Sequence, residues 1–374
     1  MKIGILTLPF NNNYGGYLQA FALMTVLKDM GHSPTIILRR NNLKKHTQWL
    51  YLKNILKSIL FSISYLNINL LFHPKEIYFL LRGRKMMSFV NKYIQPQTGF
   101  LYSTKELCDA CRNRFDAFIV GSDQVWRPEY VPDIENFFLD FTNGWNVRRI
   151  AYAASFGNSN PLYTDRERKN CGDLAARFNA ISVREKSGLD IITRFKWKVK
   201  NKTIVLDPTM LLSKERYLSL LPSKKSKTQN KVFCYILDEE YETNHLIDRL
   251  CNLLERERYD FFYKELRKNA HTALPSIEEW LMNIRDAKYI VTDSFHGMVF
   301  SILFNKKFFV YYNSQRGTDR FESLLEYFGL RKCIINDLKE LESAYKADIN
   351  WTYVNKKIED GKRKSISFLN SALL

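Results

Sequence analysis

The run Ile290-Val291-Thr292-Asp293-Ser294-Phe295-His296-Gly297 reads as an apolar strand ending in small polar residues, one histidine and one glycine before a helix begins. Free backbone N–H groups at such a helix start form a ready anion site. A histidine placed there can hydrogen-bond a phosphorylated substrate or give it a proton. The alternative is a helix capped by Asp293 or Ser294 with His296 merely packed. Three other strings share this strand-then-loop character. Asn12-Asn13-Tyr14-Gly15-Gly16 stands between the first strand and the first helix, where glycines let backbone approach a ligand closely. It is not the dinucleotide fingerprint, since no Gly-x-Gly-x-x-Gly is present. Val120-Gly121-Ser122-Asp123-Gln124-Val125-Trp126 places Asp123 as a base for a sugar hydroxyl, or as a helix cap. In Ser182-Val183-Arg184-Glu185 the arginine suits bidentate binding of carboxylate or phosphate, or else a salt bridge to Glu185 or another acid.

The elements that must carry these loops follow from apolar periodicity. Lys2–Leu8 reads as a strand, Gly16–Gly31 as a helix and Thr35–Leu38 as the next strand, which together make a parallel α/β unit. Further strands are expected at Phe115–Val120, Ile150–Ala154 and Thr203–Leu206, and a helix over Lys105–Phe115. A second series starts after the turn-forming pair Asp207-Pro208 and the polar stretch Ser223–Asn230. It has strands at Val232–Leu237, Asp260–Tyr263, Lys288–Thr292 and Phe308–Tyr312, with helices at His245–Glu257, Ile277–Arg285 and Met298–Phe304. The expectation is two α/β domains, 1–212 and 213–374, facing a cleft. Ligands of open parallel sheets sit beyond the carboxyl ends of strands, where all four motifs fall.

Composition bounds the partners. With 374 residues, 45% hydrophobic and 26% charged, the chain is globular and long enough for two cores. A formal net charge of +18 favours polyanionic partners. Six cysteines make no disulfide framework, and Cys108-x-x-Cys111 lacks a second pair for zinc. There is no secretory h-region before Pro9 and no apolar run of membrane-spanning length, so a cytoplasmic protein is expected. No nucleic-acid module is recognisable. Residues 39–92 hold eleven basic residues and one acid, and Leu52–Leu66 carries apolar residues at helical spacing. Such a helix either lies peripherally on an anionic membrane or packs on its own domain with a solvated lysine face.

Together these strings resemble the polysaccharide pyruvyl transferase family. The matching pieces are the Asn-x-Gly-type loop, Gly121–Trp126, Ser182–Glu185, Leu206-Asp207-Pro208 and Thr292–Gly297, in family order over roughly residues 3 to 330. The resemblance implies two Rossmann-like domains in a glycosyltransferase-B-like arrangement, with no metal or cofactor demanded. It further implies phosphoenolpyruvate as co-substrate and a ketal-linked pyruvate placed on a hexose of a capsular or exopolysaccharide, or on its polyprenyl-diphosphate-linked precursor. Its donor-binding residues carry over to Arg184 and His296. For a third basic residue, lysine in some members, this chain has Arg316 with Arg320 close behind, and Arg316 is favoured. Ser294 and Gly297 join the donor side. Asp123 joins His296 as a catalytic candidate, while Asn13, Tyr14, Gly15, Gly16 and Ser122 are candidates on the acceptor side. The rival readings are a sugar-nucleotide glycosyltransferase of similar fold and a basic adaptor for membranes or polyanions.

Overall fold

The computed structural model describes residues 1–40, 82–238, 241–262, 272–312 and 317–374. The expected helix at Leu52–Leu66 and the expected donor residue Arg316 lie outside them. Seven strands form the first sheet: β1 (Lys2–Leu6), β2 (Ser33–Arg39), β3 (Gln97–Leu101), β4 (Ala117–Val120), β5 (Arg148–Ala154), β6 (Ala180–Val183) and β7 (Lys202–Ile204). All pairings are parallel, in the order β3-β2-β1-β4-β5-β6-β7. The central strands are buried throughout because helices cover both faces, so alternation is lost.

A second parallel sheet has the order β11-β10-β8-β9, from β8 (Val232–Tyr235), β9 (Arg258–Asp260), β10 (Tyr289–Thr292) and β11 (Lys307–Val310). In each sheet the direction of strand addition reverses at one point, between β1 and β4 and between β8 and β10. Such a switch point leaves a crevice beyond the carboxyl ends of the two strands. Register fixes what meets there. Leu6 pairs with Val120, so the Asn11–Asn13 loop and the Gly121–Asp123 loop leave the sheet side by side. Tyr235 pairs with Thr292, which brings Asp293 to the end of β8.

The first helix, Tyr14–Asp29, is buried along nearly its whole length because it lies between its own sheet and the second lobe. The Tyr14 ring stacks on Trp280 at 5.7 Å and its hydroxyl donates to the Pro275 carbonyl at 2.7 Å. The C-terminal helix, Trp351–Leu373, packs back on the first lobe, where Ser365 Oγ accepts from the Leu206 N–H at 3.0 Å. A Cβ on Gly361 would come within 2.6 Å of Leu206, so the close crossing requires glycine.

Several boundaries differ from expectation for local reasons. The helix expected over Lys105–Phe115 ends at Cys111, and Asn113 turns left-handed two residues later. The helix expected over His245–Glu257 spans Tyr241–Leu254 and stops before Glu255, which has φ 51°. Among the described residues no helix is long and apolar enough to cross a membrane.

Candidate active site

The two crevices open onto one cleft of about 260 Å³. The first lobe contributes Asn11, Asn12, Asn13, Asp123, Gln124 and Tyr130, and the second contributes Tyr235, Leu237, Asp293, Ser294, His296 and Arg320 among others. Each side is shaped by a helix start. Asn13 caps the first helix, accepting from the Gly15 N–H at 3.1 Å, and its Nδ2 lies 3.5 Å from Asp123 Oδ2. Ser294 caps the helix Phe295–Leu303, accepting from the Gly297 N–H at 3.3 Å. His296 therefore sits in the first turn of a capped helix and also on the cleft.

The glycines of the two motifs differ in function. A Cβ on Gly15 would lie 1.9 Å from His296 Nδ1, and one on Gly297 would lie 2.3 Å from Thr292 Oγ1, so both close approaches exclude any side chain. Gly16 faces ordinary contacts with Asn13 at 3.5 Å. Asp293 is tied up in the fold, its carboxylate accepting from the Leu237 and Asp238 N–H groups at 2.8 and 3.1 Å.

Behind the cleft lies a buried charged cluster. Arg184 donates to Asp207 Oδ2 at 2.9 Å and stands 3.5 Å from Asp123 and 3.7 Å from Glu185. Its guanidinium lies 4.2 Å over the Phe295 ring. Burial works against its charge, but Asp207, Asp123 and Glu185 together hold its pKa above the ordinary value. Asp207 Oδ1 accepts from the Thr209 N–H at 3.0 Å and the Thr209 hydroxyl at 2.7 Å. Its Oδ2 also takes the Ser122 hydroxyl at 3.1 Å and stands 3.6 Å from His296 Nε2. Burial raises the Asp207 pKa, yet His296, Arg184 and Thr209 outweigh it and hold the carboxyl well below the usual range. Glu185 goes the other way: burial raises its pKa beyond what Arg184 offsets. Burial and the neighbouring Arg184 charge lower Arg320 to about 10.

The candidates thus separate into two sets. Asn13, Asp123, Ser294, His296 and Arg320 line the cleft, while Gly15 abuts the imidazole. Arg184, expected to grip the donor, lies behind the cleft with its charge on three carboxylates; it and Asp207 line a separate cavity of about 320 Å³. Tyr14 and Ser122, expected beside the acceptor, are fully buried and held by the bonds to Pro275 and Asp207 described above. Asp207 was legible only as a turn former before Pro208, although Leu206-Asp207-Pro208 stood among the matching strings. Nothing in the sequence singled out Asn11, Gln124 or Tyr130.

Solved structures of the same layout span the whole chain. UDP-GlcNAc 2-epimerase from Neisseria meningitidis bound to UDP-GlcNAc aligns with a TM-score of 0.55 at 8% identity, covering 100% of this chain and 99% of that one. Arabidopsis thaliana UGT89C1 complexed with UDP-L-rhamnose aligns with a TM-score of 0.53 at 10% identity, covering 99% and 98%. The spinosyn forosaminyltransferase SpnP aligns at 0.54 and 10%, covering 100% and 99%. Likeness at these identities shows the fold, and the class is a glycosyltransferase-B-like α/β protein with two Rossmann-like sheets facing a cleft. No curated protein sequence matches the chain. The family model described as polysaccharide pyruvyl transferase matches residues 13–315, most of the chain, and the chain belongs to that family.

Proposed function

We propose that the protein forms a pyruvate ketal on a hexose of a surface polysaccharide or its lipid-linked precursor, with phosphoenolpyruvate as donor. The observation that carries this reading is the meeting of His296, Arg320 and two helix starts on one cleft. Phosphoenolpyruvate carries carboxylate and phosphate on three carbons. Helix N-termini and an arginine supply a fixed positive field matched to such a dianionic group. Arg316 is the further cation that the family resemblance implies. The donor would rest on the lobe of the second sheet. The acceptor would rest on the lobe of the first sheet, where Asn11, Gln124 and Tyr130 offer amides and an aromatic face.

In this mechanism His296 gives a proton to the methylene carbon of the donor, and the adjacent carbon gains oxocarbenium character. A sugar hydroxyl adds to that carbon while Asp123 takes its proton. A second hydroxyl displaces phosphate, which leaves as hydrogen phosphate with that hydroxyl's proton. The proton on Asp123 returns to the imidazole through solvent, and the products are the ketal and phosphate. One positioned acid or base contributes about 10²–10⁴ in rate, and the preorganised cations stabilise the charge that develops. The basic excess of residues 39–92 favours an acceptor carried at an anionic membrane surface, on the cytoplasmic side.

Mass spectrometry of lipid-linked saccharides incubated with the protein and phosphoenolpyruvate tests the reaction. A gain equal to pyruvate minus water is expected. No gain, together with thermal stabilisation by UDP or GDP and none by phosphoenolpyruvate, would replace this reading with a sugar-nucleotide transferase.

A further inference from the structure

We propose that Asp207 fixes the imidazole of His296 with its proton on Nε2, so that Nδ1 is the nitrogen presented to substrate. The consequence for catalysis rests on the ketal-forming reading above; the position of the proton does not. His296 Nε2 is sealed from solvent and, among the described residues, makes no hydrogen bond. It faces Asp207 Oδ2 at 3.6 Å. That carboxylate cannot turn away. Thr209 holds Oδ1 through its N–H and hydroxyl, and Ser122 and Arg184 hold Oδ2.

An ionised carboxylate only accepts, so it stabilises a ring nitrogen that carries a proton and repels one that presents a lone pair. At the opposite edge Nδ1 lies against Gly15, at the start of the first helix, where only a hydrogen in place of a side chain leaves room. With Nε2 held by the carboxylate, Nδ1 is the nitrogen that takes up and gives the transferred proton. Asp207 follows β7 in the first lobe and His296 follows β10 in the second, so the carboxylate of one lobe orients the imidazole of the other. Asp207 does not line the cleft; it is a positioning residue.

Two-bond ¹H–¹⁵N correlation spectra of protein labelled at histidine nitrogens, recorded above neutral pH, test the assignment. The His296 signals are identified by their loss in His296→Gln. The Nε2-protonated pattern is expected, and an Nδ1-protonated ring would overturn the proposal. Asp207→Asn can turn its amide NH₂ toward Nε2 and select the other tautomer. The expected result is a shift toward the Nδ1-protonated form, with kcat lower by about 10² or more and acceptor KM little changed. A folded Asp207→Asn variant that keeps the wild-type pattern and turnover within about tenfold would overturn the positioning role. Should that variant not fold, the wild-type spectrum decides alone. The spectra need no phosphoenolpyruvate, so a failed transfer assay would refute the reaction and leave the tautomer standing.

Discussion

Gly15 and His296 come from different lobes, yet the imidazole occupies the volume that a side chain at residue 15 would fill, with Nδ1 only 1.9 Å from the ideal Cβ position. The approach joins the first turns of two helices, and it makes the smallest possible substitution a probe of the chemistry.

Gly15→Ala is expected to displace the ring and lower kcat by about 10² or more. Alanine is the better helix former by roughly 0.5–1 kcal/mol, which partly offsets the strain, so unfolding free energy should change far less than activity. Steady-state kinetics beside urea denaturation check this pair of outcomes.

His296→Gln is expected to remove most turnover. The residue is only 5% exposed, so its loss also reaches the packing, and circular dichroism must accompany the assay. Turnover within about tenfold of wild type would reject an acid or base role.

Arg184→Ala is expected to act first on stability. It leaves Asp207, Asp123 and Glu185 without their shared counter-charge, and breaking a buried pair in this way costs about 3–5 kcal/mol. Denaturant unfolding should show the loss. Arg320→Lys, on the cleft, is expected to weaken phosphoenolpyruvate about tenfold, because lysine lacks the planar fork. Isothermal calorimetry should find acceptor binding less affected.

Asp207 also predicts an acid limb. Its folded-state pKa is depressed, so its contribution to stability is fully present above the unfolded value of about 3.9 and fades as pH falls toward the folded one. The stability gap between wild type and Asp207→Asn should therefore be widest near neutrality and shrink in acid. Glu185 has the opposite sign: its raised pKa means that ionising it costs stability as pH rises through the carboxylate range. Urea titrations of both neutral variants, Asp207→Asn and Glu185→Gln, across that range provide the check.

The strands beneath the site were legible because burial on both faces leaves short apolar runs, as at Ala117–Val120 and Ile290-Val291. His296 and Asp123 were legible because each follows such a run. Pairing was not. Arg184 reads equally as a donor-binding cation or as half of a salt bridge until β6 and β7 lie side by side and set Asp207 against it, and no local pattern announces that neighbour. Strand β3 escaped notice because the edge sequence Gln97-Thr98-Gly99-Phe100-Leu101 has a glycine at its centre. The long C-terminal helix is likewise interrupted, by Gly361, a residue chosen for its crossing with Leu206 rather than for helicity.

That returning helix has a mechanical meaning. The second lobe is tethered twice, by the outgoing chain between Pro222 and Lys231 and by the incoming chain between Ala347 and Asn350. A single tether would leave the lobes to swivel about one stretch of chain; two tethers, with the Tyr14–Trp280 stack between the lobes, hold them in one register. Asp207 and His296, one on each lobe, are thereby kept 3.6 Å apart by the same two crossings that shape the backbone far from the cleft.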